Sequence, residues 1–399
     1  MKNRKTEKFE LLAPAGNFKS LITAINAGAD AVYFGIRGFN MRSRAKNFTL
    51  SDLPRIKRIC DKKNVKKYLT LNIIIYDNEL KKVEDIIKKS KKYIDAIICS
   101  DLSVIMFCKK HKVPFHISTQ MSISNSKAAL FFKNLGAERI VLARELNLKQ
   151  IKKISKIIPV EIFIHGAMCI SVSGRCLMSQ FLHNYSANRG ECIQPCRRPY
   201  TIKDSRGNEM KIDNNYILSS KDLCALPFFE KIKKSGAISF KIEGRNKEPE
   251  YIDTVVRVYR KALDKKLDEK DIEDSINELK KVYNKGFSDG FFIKSPTNDD
   301  LSNVENSKAE QSKIFIGKIN KFYPKINVGE LKINSGELKE NDEILIIGEK
   351  TGLIKHRITS MEINKKRVDK ATKGENVGII LPKCRKNDEI YKVIKNQIN

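Results

Sequence analysis

Four of the chain's nine cysteines fall in one short stretch, EIFIHGAMCISVSGRCLMSQFLHNYSANRGECIQPC. They are Cys169, Cys176, Cys192 and Cys196, spaced C-x6-C-x15-C-x3-C. Thiols this close read as a disulfide framework, a zinc site or an iron–sulfur cluster. Zinc sites usually show two tight C-x2–4-C pairs, and here only Cys192 and Cys196 form one. The wider gaps suit a cluster cradled by a loop, each thiolate reaching one iron. Gly166, Gly174 and Gly190 break the stretch, so it reads as a loop wrapped around something. The other cysteines, Cys60, Cys99, Cys108, Cys224 and Cys384, sit among apolar neighbours and read as core, since free cysteine behaves as a small hydrophobe. Cys224 is the one rival to Cys196 as fourth ligand. Ser219 and Asp222 read as caps of a helix that Cys224 begins.

The remaining chemistry is expected at strand ends. Arg42 and Arg44 follow the second apolar run, Arg144 and Glu145 the sixth, His165 the seventh, and Glu243 and Arg245 the eighth. Guanidinium forks suit bidentate recognition of carboxylate or phosphate, so Arg42, Arg44, Arg144 and Arg245 are candidates to hold an anionic cosubstrate. The bland reading is that some of them pair with Glu145 and Glu243. His165, Glu145 and Glu243 are the candidate acid–base groups. There is no HExxH and no GxSxG, so neither a zinc protease nor an α/β-hydrolase is indicated. Ser171, Ser173 and Ser179 read first as turn residues.

These residues need elements to hold them. Eight apolar runs occur before Gly244: Phe9–Ala13, Ala31–Ile36, Tyr68–Ile75, Ala96–Ser100, Pro114–Ser118, Arg139–Ala143, Val160–Ile164 and Ser239–Ile242. Most are apolar throughout, as strands buried on both faces of a parallel sheet must be. Helical patterns fill the gaps, the first capped by Asn17 and ended by Gly28. Eight such units predict an α/β fold, a closed TIM-like (β/α)8 barrel over residues 1–294. The cysteine loop, residues 166–200, is a long insertion after strand seven, where barrel enzymes build their sites. A hairpin is expected around Ser205–Asn208. Two helices follow, Glu250–Leu263 and Lys270–Asn284. Residues 295–312 are polar and turn-rich, and read as a linker. Short β runs with turn signals then predict a small all-β barrel domain over 313–399.

The net charge is +30, from 77 Lys and Arg against 47 Asp and Glu. A field of that size favours a polyanionic partner such as nucleic acid, although lysine-rich helix faces alone would also give it. Hydrophobic content of 41% and charged content of 31% fit a soluble globular chain, and no apolar run approaches the roughly 20 residues a span needs. The opening MKNRKTEKFELLAPAG carries no apolar signal core. The expectation is a cytoplasmic protein with no membrane partner, where reducing conditions disfavour disulfides.

At LLAPAGN, AGADAVYFG, FNMRSRAKNF, ISTQ, EIFIHGAMCISVSGRC, SSKDLCAL and SFKIEGR the sequence resembles the peptidase U32, or collagenase-like, family. The resemblance covers residues 9 to about 290, and the segment beyond is similar to a translation-factor β-barrel. It implies a 4Fe–4S cluster on Cys169, Cys176, Cys192 and Cys196. Better understood members of the family resemble oxygen-independent hydroxylases. One branch converts the wobble uridine of tRNA to 5-hydroxyuridine and depends on prephenate, another acts on a cytidine of ribosomal RNA, and a third serves ubiquinone synthesis. Length, the appended β domain and the charge look most like the tRNA branch. The expectation is therefore a prephenate-dependent tRNA hydroxylase. The alternatives are a U32 peptidase, an rRNA cytidine hydroxylase and a non-catalytic RNA-binding iron–sulfur protein.

Overall fold

The computed structural model describes residues 9–210 and 216–396. Eight parallel strands form a closed barrel: β1 (Glu10–Pro14), β2 (Ala31–Gly35), β3 (Lys66–Leu71), β4 (Ala96–Cys99), β5 (Phe115–Ile117), β6 (Arg139–Val141), β7 (Val160–Ala167) and β8 (Ser239–Ile242). Each pairs with the next, and β8 closes the ring by pairing with both β7 and β1. The apolar runs explain this directly. Outward side chains such as Leu11, Phe34, Leu69 and Ile97 pack under the surrounding helices, while Leu12, Tyr33, Tyr68 and Ile98 fill the interior. Each such buried chain contributes about 1.5–3 kcal/mol of burial energy. The helices start where capping residues stand: Asn17 accepts from the Ser20 amide at 2.9 Å, and Asn147 and Gln150 form a reciprocal box.

The inward positions of β1, β6, β7 and β8 are not all apolar. Arg139 reaches Glu10 and Glu161, Lys241 bonds Glu161 at 2.8 Å, and Ser239 and Tyr68 donate to Glu10 at 2.9 and 2.7 Å. Charges this deep are tolerated because each is paired.

Two short strands extend the wall of β7. Asp222–Cys224 runs antiparallel to His165–Ala167, and Phe287–Ser288 lies beside it. β7 therefore continues past the expected Ile164. Cys224 ends this strand and does not begin a helix; the next α-helix starts at Phe229. β3 likewise stops at Leu71, which leaves Asn72 just beyond it. The expected hairpin is present, Ile202–Lys203 against Glu209–Met210.

The C-terminal part is antiparallel, with an eight-stranded sheet around its own core of Ile316, Ile344, Ile346, Val377 and Ile379. Its first strand, Gln311–Tyr323, begins inside the polar stretch 295–312. That stretch is laid against the barrel: Asp300 and Ser302 pair through their backbones with Lys221 and Ser219, and Lys308 with Asn284. The β part docks on two barrel helices. Lys19 pairs with Glu389, Lys313 with Glu250, and Gly352 packs against Ile22 and Thr23. Among the described residues no helix is long and apolar enough to cross a membrane.

Candidate active site at the barrel mouth

The long connection after β7 folds over the C-terminal ends of the strands. It is pinned by residues distant in sequence. Arg189 grips Glu79 with two bonds of 2.9 and 2.6 Å and donates to the Ile74 carbonyl. The Ser43 amide and hydroxyl both donate to the Gly190 carbonyl. Gly190 has φ +89°, and a Cβ there would stand 2.2 Å from the Asn40 carbonyl oxygen, so only glycine permits this approach. Arg197 donates to the backbone of Ser220 and Met168, holding the far end of the loop.

Beneath the loop lies a cavity of about 190 Å³. All four loop cysteines line it, and so do Arg42, Arg44, Arg144 and Arg245. Cys169 and Cys192 are exposed, Cys176 and Cys196 half-buried, and none is disulfide-bonded. Burial pushes the Cys196 thiol up to about 11; Arg197 opposes this, and Cys169, Cys192 and Cys176 add to it. Cys192 sulfur receives the Gln194 amide at 3.4 Å and the Ser179 hydroxyl at 3.8 Å. Among the described residues no three His, Cys, Asp or Glu side chains converge closely enough to grip a single ion. A four-iron cluster asks for a wider set, because each thiolate binds a different iron. Four free thiols on one cavity wall are compatible with that donor set.

The cationic side carries the second feature. Arg42 bonds one oxygen of Glu243 through both Nε, at 3.0 Å, and a terminal nitrogen. Burial alone would push the Glu243 carboxyl up. Arg42, with Arg245 and Arg144 behind it, outweighs burial and holds it below its ordinary value. Arg144 donates one bond to the Ala167 carbonyl at 2.9 Å, and its guanidinium sits 4.6 Å from the Phe163 ring centre. Its Nε and Nη2 are buried without partners, as is Oε2 of Glu243. Each unmet buried group costs about 1–3 kcal/mol, and a bound ligand would recover that. Burial pulls the Arg144 guanidinium down from its ordinary value, against the pull of Glu243 and Cys169. Arg245 is tied to Asn40 and Thr70 at 2.9 Å each, and burial lowers it to about 10. Arg44 is exposed, 5.2 Å from the Tyr185 ring centre.

Two candidate acid–base groups lie elsewhere. Glu145 is exposed and off the cavity. His165 faces outward, among Tyr251, Tyr259 and Phe287, where burial depresses it to about 3. The cause is a register shift: Lys241 pairs with Phe163 but Ile242 pairs with His165, so an extra residue on β7 turns the ring away from the mouth. Cys224 is also buried outside the cavity, 3.8 Å from the Tyr259 hydroxyl, and burial raises it to about 11. Asn72, within the third apolar run, and Gln120, just after the fifth, line the cavity too, as do Lys241 and Asn188, which sequence reasoning missed. Lys241 carried a signal, a charge inside an otherwise apolar strand.

The model of Peptidase family U32 matches residues 16–302, and that of Elongation factor Tu domain 2 matches residues 328–390. A protein named "Collagenase" from Porphyromonas gingivalis is 42% identical over 98% of this chain and 99% of its own. A "tRNA hydroxylation protein P1" from Bacillus subtilis is 36% identical over 76% of this chain and 75% of its own. The "23S rRNA 5-hydroxycytidine C2501 synthase" of Escherichia coli is 37% identical over 66% of this chain and 41% of its own.

Proposed function

Because the chain belongs to peptidase family U32, we propose that it hydroxylates an RNA base, converting the wobble uridine of tRNA to 5-hydroxyuridine in the cytoplasm. One observation carries this reading. The cavity lined by the four cysteines is lined also by Arg144 and Glu243, both of which carry buried polar atoms without a partner. A set of thiols that can hold a redox cluster and a set of guanidinium groups that can hold an anion line one small space. The relatives named for tRNA and rRNA hydroxylation support RNA as the substrate class, and the charge of +30 suits it.

Cys169, Cys176, Cys192 and Cys196 would hold a 4Fe–4S cluster, which supplies one-electron transfer at the cavity wall. Replacing C5–H by C5–OH with water as the oxygen source releases two electrons and two protons, so the electrons would pass singly through the cluster to an external acceptor. Arg144 offers two free N–H donors to one carboxylate of prephenate, and Arg44 remains available for the second. Glu243 holds Arg42 in place and keeps one oxygen free to accept a proton or hydrogen bond. The uridine would enter unstacked, as base chemistry in a pocket requires.

The full-length match to a protein named collagenase keeps a peptidase in view. No histidine lines the cavity among the described residues, so its serines and cysteines lack the usual base beside them. Nucleoside mass spectrometry of tRNA and rRNA from a deletion strain tests the reading. Loss of 5-hydroxyuridine derivatives from tRNA is expected. A change confined to rRNA cytidine moves the substrate; no change in either RNA, with gelatin hydrolysis by the purified protein, returns the peptidase.

A further inference from the structure

Outside the cavity lies a trough of about 590 Å³ that shares Arg42, Arg44, Cys192 and Arg197 with it. We propose that this trough, built on Arg197, Arg198, Lys247 and Lys285, binds the sugar-phosphate backbone of the RNA strand beside the target base. The proposal rests on the RNA reading above and says which surface holds the strand.

The charge balance points to a polyanion. Six cationic side chains and two carboxylates, Asp222 and Glu243, line the trough. Of the six, Arg42 alone has a carboxylate partner among the described residues. Arg197 and Lys285 spend their donors on neutral groups: Lys285 on the Val304 and Glu305 carbonyls at 3.1 and 2.7 Å, Arg197 on backbone oxygens and the Ser219 hydroxyl. Such bonds aim the cations without cancelling their charge. Among the described residues the Arg198 side chain meets His183, at 3.4 Å, and no carboxylate, and Lys247 stands over the Tyr283 ring, 2.9 Å from its centre. Asp222 and Lys285 are both buried, and Asp222 accepts from the Lys285 amide without forming an ion pair with any of the trough cations among the described residues.

A neighbouring cleft of about 720 Å³ between barrel and β domain offers the contrast. Four of its five lysines and arginines are matched, Lys313 with Glu250, Lys281 with Glu278, Lys355 with Asp253 and Arg357 with Glu343, and the fifth is Lys247, which lines both spaces. That cleft is larger yet nearly neutral, so size does not mark the anion site. The trough also carries an aromatic, Tyr185, 45% exposed beside Arg44. An exposed ring beside a cationic groove is how proteins hold unpaired strands, the base stacking while the phosphates are neutralised. Because the trough and the cavity share Arg42, Arg44, Cys192 and Arg197, a strand lying in the trough would have its target base beside the cavity without leaving the cations.

The test uses the purified full chain and a synthetic, fluorescently labelled tRNA anticodon stem–loop. Affinity is measured across a salt series for Lys247→Gln, Arg198→Gln and Tyr185→Ala, with Lys355→Gln and Arg357→Gln as cleft controls. Each trough cation that meets a phosphate should lower the salt slope by roughly 0.7–0.9, and the Lys247→Gln/Arg198→Gln pair should weaken binding roughly tenfold. Tyr185→Ala should weaken binding without moving the slope, and the cleft controls should do neither. Circular dichroism and cluster absorbance confirm that the variants remain folded. An unmoved slope in both trough variants overturns the proposal, as does displacement of the RNA by polyglutamate at equal charge. Unchanged tRNA and rRNA nucleosides in a deletion strain, with the slope still lowered in the trough variants, would sink the hydroxylase reading and keep the RNA trough. Altered nucleosides with an unmoved slope would do the reverse.

Discussion

Arg42 and Glu243 stand 201 positions apart in sequence and meet at the barrel mouth through a single carboxylate oxygen. The guanidinium takes Oε1 twice and leaves Oε2 buried and unbonded. Barrel closure makes the pair possible, since β2 and β8 lie on either side of β1. It also fixes which arginine is free to bind. Arg42 is committed to Glu243, Arg245 to Asn40 and Thr70, and Arg144 keeps two buried donors unused.

Arg144→Ala should therefore weaken binding of an anionic cosubstrate most. Two charge-assisted bonds of about 1.5–3 kcal/mol each are at stake, so a loss of at least one order of magnitude is expected. Calorimetry with prephenate measures it, and the visible absorbance of the loaded protein should stay as it was. Arg245→Ala should instead lower stability, because it empties a buried, hydrogen-bonded position. Equal prephenate affinity in wild type and Arg144→Ala would remove Arg144 from the site.

Cys196→Ser and Cys224→Ser separate the two readings of the fourth thiol. Cys196 lines the cavity with the other three, while Cys224 is walled off behind Tyr259. Protein purified without oxygen should be brown, with iron and sulfide near four per chain if the cluster is of the 4Fe–4S type. Cys196→Ser should lose that colour and Cys224→Ser should keep it. The opposite pattern would reassign the ligand.

Gly190→Ala places a methyl against the Asn40 carbonyl at a backbone angle that side chains avoid. The loop should lift from residues 40–43, at a strain of about 1–3 kcal/mol. Faster proteolysis within the loop and loss of bound iron are expected, while far-ultraviolet circular dichroism of the barrel stays unchanged. Normal iron content would show that the loop needs no such docking.

Inside the barrel, Glu161→Gln would strip Lys241 and Arg139 of a buried partner, with an expected loss of about 3–5 kcal/mol in urea unfolding. Glu10 gives the pH dependence. Burial pushes its carboxyl up, but Arg139 and the bonds to it prevail and hold it below the ordinary value of 4.5. Its folded value is depressed, so its contribution is fully present above that ordinary value and is lost as pH falls through the folded one. Urea midpoints should drop on acidification, and the drop should be smaller in Glu10→Gln. An identical acid profile in that variant would assign the transition to other carboxylates.

The barrel was legible because its strands are buried on both faces and so read as unbroken apolar runs. The caps at Asn17 and Asn147 were legible for a local reason, one side chain and one amide three residues on. What the sequence hid was non-local. His165 looked like the end of a strand aimed at the site, but one extra residue in β7 turned it outward. Cys224 looked helical, because the strand it joins lies across the sheet at His165. Glu161 and Lys241 were visible as charges in apolar runs, yet only closure shows that they face each other. The four cysteines, by contrast, stood out as a group by their spacing, and the fold brings them to one cavity.

The loop that carries the thiols is tethered by Glu79, Ser43 and Asn40, all contributed early in the chain, whereas the ring itself is completed by β8, made after every one of those cysteines. During synthesis on the ribosome the thiols thus emerge before the wall they will face exists. A cluster inserted after closure would be reached through the two exposed sulfurs, Cys169 and Cys192.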